Sequence, residues 1–456
     1  MAPGKSNKSG VFMALREQLL SGRKKMAIWG TGFIGFTTMA NFAHSGVKCI
    51  GYDVDQKKVD DINLGVIPIE NLEYWLGFEI KDLVRSGLMK ATTDSKEMLG
   101  RDIAVHFVCI PTEKGGEPYD DILIDVVKKL SKLKSVKSDT APLIIVESTL
   151  TPGRSDKVVI PILKEAGIRV GKDMMYGVAP RRDWFVSPEK NLQKLPRVFG
   201  GTTMETTEMM KDVLSVVCEN LVPAPDHKHA EIVKSIENAY RHMDITLANQ
   251  LTAAYPSIDM TEVLRLVGTK WNVETYHPSF GTGGYCIPLS SQYVILGAER
   301  PEELTLLRDT VDFDQRMPEM VADSLAKRGV KKVGILGLAY KGDIKVSILS
   351  PTISIVKKLK ELGIGVKIND PYYTAGEIER IGGAEAFDFP EDLGEFDAIL
   401  IVADHQHYRF TPHDTILNAL RKCVVILDNT GIWKDINFKG RNIEYHVAGD
   451  AGWMKV

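Results

Sequence analysis

"KKMAIWGTGFIGFTTMANFAHSGVKCIGYDVD", residues 24–55, begins with an apolar run, Met26 to Trp29, that breaks into Gly30-x-Gly32-x-x-Gly35. Apolar residues at helical spacing follow, and a second apolar run, "KCIGYD", ends in Asp53. The physical reading is strand, tight turn, helix, strand. The first glycine permits the bend and the second lets a pyrophosphate approach the backbone. The third lets the helix pack closely on the strand. Phe33 and Ile34 open that helix, whose N-terminus offers amides and a positive dipole end to phosphates. Asp53 falls 18 residues after Gly35, where a carboxylate can hydrogen-bond both hydroxyls of a ribose. A 2′-phosphate would meet that carboxylate, so the pattern favours NAD over NADP. Gly30, Gly32, Phe33, Ile34, Gly35 and Asp53 are the expected cofactor contacts.

Working outward, unbroken apolar runs at 102–112, 141–153 and 197–201 suit parallel strands covered on both faces. Pro111-Thr112 and Ser148-Thr149 fall at the carboxyl ends of two of them, where ligands of such folds bind. Their hydroxyls would either face the nicotinamide or cap local turns. From about residue 205 to 325 the pattern turns helical. "HAEIVKSIENAYRHMDITLANQLTAAY", residues 229–255, keeps helical spacing without an internal proline and reads as a long spine. Its Lys234 and Asn238 share a face, and its free apolar side is a candidate homodimer interface. The strand–helix–strand rhythm then returns with "KKVGILGLAYKGD" (331–343), "SPTISIVKKLKELG" and "VKIND", with Gly-Leu-Ala at the turn, followed by apolar runs at 396–405 and 424–431. The expectation is an α/β protein: two Rossmann-like doubly wound domains joined by a central helical region. The expected boundaries are an extension 1–23, an NAD-binding domain 24–204, a helical dimerisation domain 205–328 and a second, degenerate nucleotide-binding domain 329–456. Two such domains would leave a cleft for one nucleotide on each side.

Composition narrows the function classes. An apolar fraction of 44%, a charged fraction of 26% and a net charge of −3 fit an ordinary globular chain, with no global pull toward nucleic acid or anionic membrane. Five cysteines stand apart with no CxxC pair, a reduced intracellular pattern. No apolar run approaches the ~20 residues of a membrane span, and residues 1–25 lack a signal-peptide core. A cytoplasmic location is expected. His405 and His407 have metal-like spacing but no completing ligands, and read as a strand end. His227 and His229 read as solvated, "VVKKLSKLKSVKSD" (126–139) as an exposed helix face, and no metal is expected. Trp184 and Phe185 would line a pocket or pack under their loop.

"SFGTGGYCIPLSSQY", residues 279–293, poses the chemical question: glycines crowd around Cys286, either a nucleophile or a thiol beside a turn. Taken with the earlier motifs, the chain resembles the UDP-glucose/GDP-mannose dehydrogenase family of NAD-dependent nucleotide-sugar 6-dehydrogenases, from Lys24 onward. The landmarks are Gly30-x-Gly32-x-x-Gly35, Pro111-Thr112, Glu147-Ser148-Thr149 with Pro152-Gly153, and Lys234-x-x-x-Asn238. They continue through Gly283-Gly284-Tyr285-Cys286-Ile287-Pro288, Gly337-Leu338-Ala339-Tyr340-Lys341-x-Asp343, Ser350-Pro351 and Asp370-Pro371. "HPSFGTGGYCIP" leans toward members that oxidise N-acetylhexosamine nucleotides. The resemblance implies oxidation of a sugar C6 alcohol to the acid in two hydride transfers, through a thiohemiacetal and thioester on Cys286. A thiolate suits this, being strongly nucleophilic and a good leaving group. Lys234 would stabilise the oxyanion, Asn238 would hold it or donate a second hydrogen bond, and Thr149 would orient water and line the cofactor site with Pro111 and Thr112. Substrate contacts would come from Lys234, Asn238, Tyr276, Phe280, Gly281, Gly283, Gly284 and Lys341.

Three departures are visible. Where the family has Pro-Glu, with the Glu assisting thioester hydrolysis, this chain has Pro180-Arg181, and a guanidinium cannot act as that base. Asp183 would replace it only if the backbone shifts. Ser290 stands where the family places an Asp that partners the lysine. Val346 and Ile348 replace an Asp and an Arg. Three readings follow: a four-electron dehydrogenase with a rearranged hydrolytic site; a relative that performs a two-electron oxidation or uses an unusual nucleotide sugar; and a non-catalytic nucleotide-sugar-binding protein.

Overall fold

Strand β1 (Lys25–Trp29) forms where the sequence places four consecutive apolar residues, and all four are fully buried. The computed structural model describes residues 14–69, 72, 76–136, 138–183 and 190–454. Its contacts group the chain into two compact units, residues up to 114 with 118–235, and 115–117 with 236 onward.

In the first unit, β1 is followed by α1 (Phe33–His44), β2 (Cys49–Tyr52), β3 (Met89–Thr92), β4 (Ile103–Val108), β5 (Leu143–Val146), β6 (Met175–Val178), β7 (Arg197–Gly201) and β8 (Leu221–Pro223). They form one sheet in the order β8-β7-β6-β5-β4-β1-β2-β3. The two-residue period splits β1 between two cores. Met26 and Ile28 join Phe36, Met39 and Phe42, while Ala27 and Trp29 join Leu123, Leu130, Leu163 and Tyr176. Each large side chain so buried contributes about 1.5–3 kcal/mol. Burial on both faces explains why these strands read as continuous apolar runs. Arg197–Gly201 departs from the expected parallel set. It runs antiparallel to β6, pairing Gly177 with Gly201, and parallel to β8. The helix Met204–Leu214 and β8 also belong to this unit, so the first sheet's elements extend past residue 204. A three-residue strand ending in proline gives no periodic signal. Within the N-terminal extension, a short helix, Leu15–Leu20, buries Leu15 and Leu19 in the first core.

The long helix is present as α2 (His227–Ala254), and the division between units falls within it. In the second unit, α3 (Ile287–Gly297) and α4 (Thr305–Lys327) precede a second sheet. Its strands are β9 (Lys332–Leu336), β10 (Gly365–Asn369), β11 (Glu385–Ala386), β12 (Ala398–Ile401), β13 (Val425–Asp428) and β14 (Glu444–Val447), all parallel, in the order β11-β10-β9-β12-β13-β14. Among the described residues, no helix is long and apolar enough to cross a membrane.

Candidate active site

In the first unit, β1 lies between β2 and β4, so the chain's crossovers depart in opposite directions there. The carboxyl end of such a strand is where doubly wound sheets bind ligands. Gly30 makes the turn at φ 88°, a conformation that side chains resist, and a Cβ on it would lie 2.5 Å from the Cys109 carbonyl oxygen. A Cβ on Gly35 would overlap the Gly30 carbonyl oxygen, so the third glycine serves helix–turn packing. At Gly32 a Cβ would meet nothing within 4 Å. The second glycine therefore faces open space at the N-cap of α1, where no side chain caps the helix. Asp53 closes the turn from β2. Its Oδ2 accepts the Thr31 amide and hydroxyl, both at 2.9 Å, and its Oδ1 accepts the Asp55 amide at 3.1 Å. Burial pushes this carboxyl up. The hydrogen bonds from Asp55 and Thr31, with the nearby Lys58 charge, outweigh it and leave the group below its ordinary value. The open second glycine, uncapped helix and ionised acid fit the diphosphate and ribose of NAD. Phe33 is 38% exposed beside them, whereas the Ile34 carbonyl is engaged by Arg181.

At the neighbouring strand ends, Thr112 donates its hydroxyl to the Thr149 carbonyl at 2.6 Å, which brings those two positions together. Ser148 exchanges hydrogen bonds with the Ile110 amide and carbonyl at 2.8 and 2.7 Å, so its hydroxyl serves the loop. Pro111 is exposed and Thr149 half-buried.

Arg181 lies beneath α1. It donates to both oxygens of Asp183 at 2.6 and 2.5 Å, to the Thr38 and Thr37 hydroxyls at 2.6 and 3.1 Å, and to the Ile34 carbonyl at 3.2 Å. Glu147 approaches the same guanidinium at 4.0 Å and pairs with Arg197. Asp183 is thus committed to a buried bidentate ion pair. Burial would raise it, but Arg181 holds it below the usual carboxylate range. A carboxylate so held is a poor general base, and Asp183 does not replace the missing Glu. Trp184 and Phe185 lie outside the described residues.

In the second unit, Cys286 is the N-cap of α3, with Pro288 in the first turn. It is half-buried, whereas the other four cysteines are buried. Burial pushes all four of those thiols up, Cys423 to about 12. The loop before Cys286 is held at successive positions. Ser279 donates its amide to Asn249 at 2.7 Å. Thr282 gives its amide to Asp314 on α4 at 2.9 Å, and its hydroxyl to the other oxygen of the same carboxylate. Gly284 gives its amide to the Ile348 carbonyl at 2.8 Å.

Gly283 and Gly284 are glycines for an internal reason. A Cβ on either would lie 2.5 Å from the Tyr340 Cβ or 2.7 Å from its Cζ, so the loop is pressed onto that side chain. Gly281 packs similarly near Pro318 and Pro351. Phe280, expected among the substrate contacts, keeps its ring in the core. The ring is fully buried and packs edge-on against Trp453 at 5.6 Å, while its amide donates to Asn429. Tyr276 and Lys341 are half-buried.

The spine helix turns a polar face to this loop. Asn238 donates to Ser290 at 3.0 Å, so the residue standing in place of the family's Asp holds the proposed Asn. His242 meets Ser291 at 2.8 Å through Nδ1 and Asp314 at 3.2 Å through Nε2. Lys234, one turn before Asn238, is half-buried. Val346 and Ile348 act through their carbonyls, accepting the Tyr340 and Gly284 amides. The sequence reading missed Glu231. This buried carboxylate accepts the Ser155 amide at 3.0 Å together with the Gly153 amide and Ser155 hydroxyl, fixing α2 one turn before Lys234. Spacing did not single it out, because its helical neighbours His227, Lys234, Ser235 and Asn238 are polar too.

Three sequence models of one family match the chain. These are the UDP-glucose/GDP-mannose dehydrogenase family NAD binding domain over residues 24–217, its central domain over 228–316 and its UDP binding domain over 334–435. The chain is 27% identical over 426 residues to a UDP-N-acetyl-D-mannosamine dehydrogenase of Pyrococcus horikoshii, covering 90% of this chain and 96% of that protein. It is 25% identical to a UDP-N-acetyl-D-glucosamine 6-dehydrogenase of Salmonella typhi, covering 84% and 91%. The solved structure of the UDP-D-ManNAc dehydrogenase from Pyrococcus horikoshii superposes with a TM-score of 0.81 at 26% identity, covering 94% of this chain and 100% of that one.

Proposed function

This chain belongs to the UDP-glucose/GDP-mannose dehydrogenase family, an NAD-binding family of nucleotide-sugar oxidoreductases, and we propose on that footing that it oxidises the C6 alcohol of a UDP-N-acetylhexosamine to the uronic acid. The observation that supports this most is Cys286. It is the one accessible cysteine of five, set at the N-terminus of an 11-residue helix, where a nucleophile can meet a substrate. The names of the relatives point to the N-acetylated sugar.

Gly30, Gly32, Phe33, Gly35 and Asp53 would hold NAD, which would accept the hydride of each oxidation. The sulfur of Cys286 bonds to the aldehyde carbon, and Lys234 and Asn238 stabilise the oxygen that becomes negative. After the second oxidation, water cleaves the carbon–sulfur bond, releasing the carboxylate and returning the thiol. Thr149 orients that water, Pro111 and Thr112 line the cofactor, and Tyr276, Gly281 and Lys341 contact the nucleotide sugar. The test is NADH formed per UDP-N-acetylmannosamine or UDP-N-acetylglucosamine consumed, expected to be about two, as the four-electron chemistry requires. Cys286→Ser should lose the second transfer; unimpaired acid formation by that variant would remove covalent trapping.

The Arg181–Asp183 pair favours a second reading, in which hydrolysis is the slow step and acyl-enzyme accumulates. A burst of about two NADH per enzyme followed by slow turnover, with the mass of the acyl group on Cys286, would select it.

We propose a homodimer through α2 and its neighbours, because Ile236, Tyr240 and Leu247 are exposed on that helix and Trp271 is 92% exposed. Sedimentation velocity tests this, and a monomer at micromolar concentration would overturn it. A cytoplasmic location agrees with the NAD cofactor and the cysteine pattern, and cell fractionation tests it.

A further inference from the structure

The segment "ADHQHY", residues 403–408, reads in the sequence as the end of a strand, but its first histidine joins two loops of the second unit. His405 is fully buried, with the Tyr372 ring 5.1 Å from one side and the Tyr408 ring edge-on at 5.4 Å. Its Nδ1 accepts the Asp343 amide at 2.9 Å, so that nitrogen carries no proton. The proton is therefore on Nε2, which donates to Asp370 Oδ2 at 3.2 Å. The same carboxylate oxygen accepts the Leu338 and Ala339 amides at 2.8 and 2.9 Å. On either side of His405 the contacts continue. Asp404 accepts the Gly342 amide at 3.0 Å, and Asp343 accepts the Gln406 amide at 3.0 Å. A Cβ on Gly342 would overlap the Asp404 carbonyl, and Asp343 is held at φ 59°. Residues 404–406 thus mould the turn that follows Lys341, residue against residue.

We infer that His405 is a positioning residue for nucleotide binding. In one fixed tautomer its Nδ1 accepts the Asp343 amide and so sets where the Lys341 side chain starts, while Nε2 donates to Asp370, which holds the Gly337-Leu338-Ala339 turn. All of these residues lie within the stretch matched by the UDP binding domain. The inference rests on the reading of Lys341 as a nucleotide contact. An imidazole suits the task because it presents a donor and an acceptor at fixed separation on opposite sides of a rigid ring.

Two replacements divide those functions. His405→Asn places an amide oxygen near Nδ1 and can keep the Asp343 bond. His405→Gln places an amide nitrogen near Nε2, keeping Asp370 and releasing Asp343. The full chain is titrated with UDP and, separately, with NAD. His405→Gln is expected to weaken UDP about tenfold with NAD unchanged, and His405→Asn to remain within about threefold. Lys341→Ala is expected to weaken UDP about tenfold, and the double variant His405→Gln/Lys341→Ala to be no weaker than Lys341→Ala alone. Native UDP affinity in His405→Gln beside a weakened Lys341→Ala overturns the inference and leaves the Lys341 reading standing. Native affinity in Lys341→Ala overturns that reading and the inference with it. Equal losses in His405→Gln and His405→Asn, with a lowered Tm and weakened NAD, mean a general structural role and also overturn it.

Discussion

After β1, Gly30 turns the chain at φ 88°, and Asp53 from the next strand accepts the Thr31 amide and hydroxyl. After β9, Gly337 turns at φ 107°, and Asp370 from the next strand accepts the Leu338 and Ala339 amides. Both units use a glycine at the bend and an acid that reaches across from the neighbouring strand. They differ in what occupies the space beyond. The first turn continues through Gly32, over which there is room. The second continues through Leu338 and Ala339, both fully buried, and its acid also accepts the His405 hydrogen bond. One turn is left open for a ligand, and the other is filled by its own side chains. A shared strand-turn-helix device therefore does not imply a shared ligand position.

This contrast can be broken by substitution. Gly35→Ala should have the largest effect, because the added carbon overlaps backbone that cannot move aside. A loss of about 3 kcal/mol in denaturant unfolding is expected, together with loss of measurable NAD binding. Gly337→Ala should follow, since its Cβ would lie 2.6 Å from the Ala403 amide nitrogen at a left-handed φ. A cost of about 2–3 kcal/mol is expected, with NAD affinity retained. If NAD affinity falls equally in both variants, the two turns do not have separate tasks.

The acids provide a finer test. Asp53→Asn should weaken NAD about tenfold, whereas Asp370→Asn should lower Tm by a few degrees and leave the NAD Kd unchanged. Asp53 also predicts a pH effect. Its folded value lies below the ordinary carboxyl value, so its stabilising contribution is complete above about pH 4 and is lost as pH falls through the depressed value. Asp53→Asn should flatten that acid limb in a stability-versus-pH series. Gly32→Ala should be the mildest for stability, within about 0.5 kcal/mol, while NAD binding weakens several-fold because the methyl enters the open space. A stability loss as large as that of Gly337→Ala would show that the first turn is filled as well.

The first turn was legible because its requirements are local: glycines, a helix start and an acid lie within 24 residues, Gly30 to Asp53. The 28-residue helix was legible from its unbroken period. The strand Arg197–Gly201 was visible but its direction was not, because direction depends on how the loop before it travels. Long-range polar pairing left no trace in spacing. Arg181 and Thr38 are 143 positions apart, and Asp370 and His405 are 35. Phe280 was expected among the substrate contacts from the family resemblance alone, and the spacing gave no sign that its ring packs against Trp453. Gly283 and Gly284 were expected among the substrate contacts, and nothing in the spacing showed that both also pack against the Tyr340 side chain.

That tyrosine has an evolutionary consequence. With its ring against Gly284 and its Cβ against Gly283, positions 283, 284 and 340 fit only as a set. A methyl at 284 demands a smaller neighbour at 340, and trimming 340 alone leaves a void beside the thiol-bearing loop. Descendants of this chain would have to exchange these residues in tandem, so the three should co-vary as one inherited character.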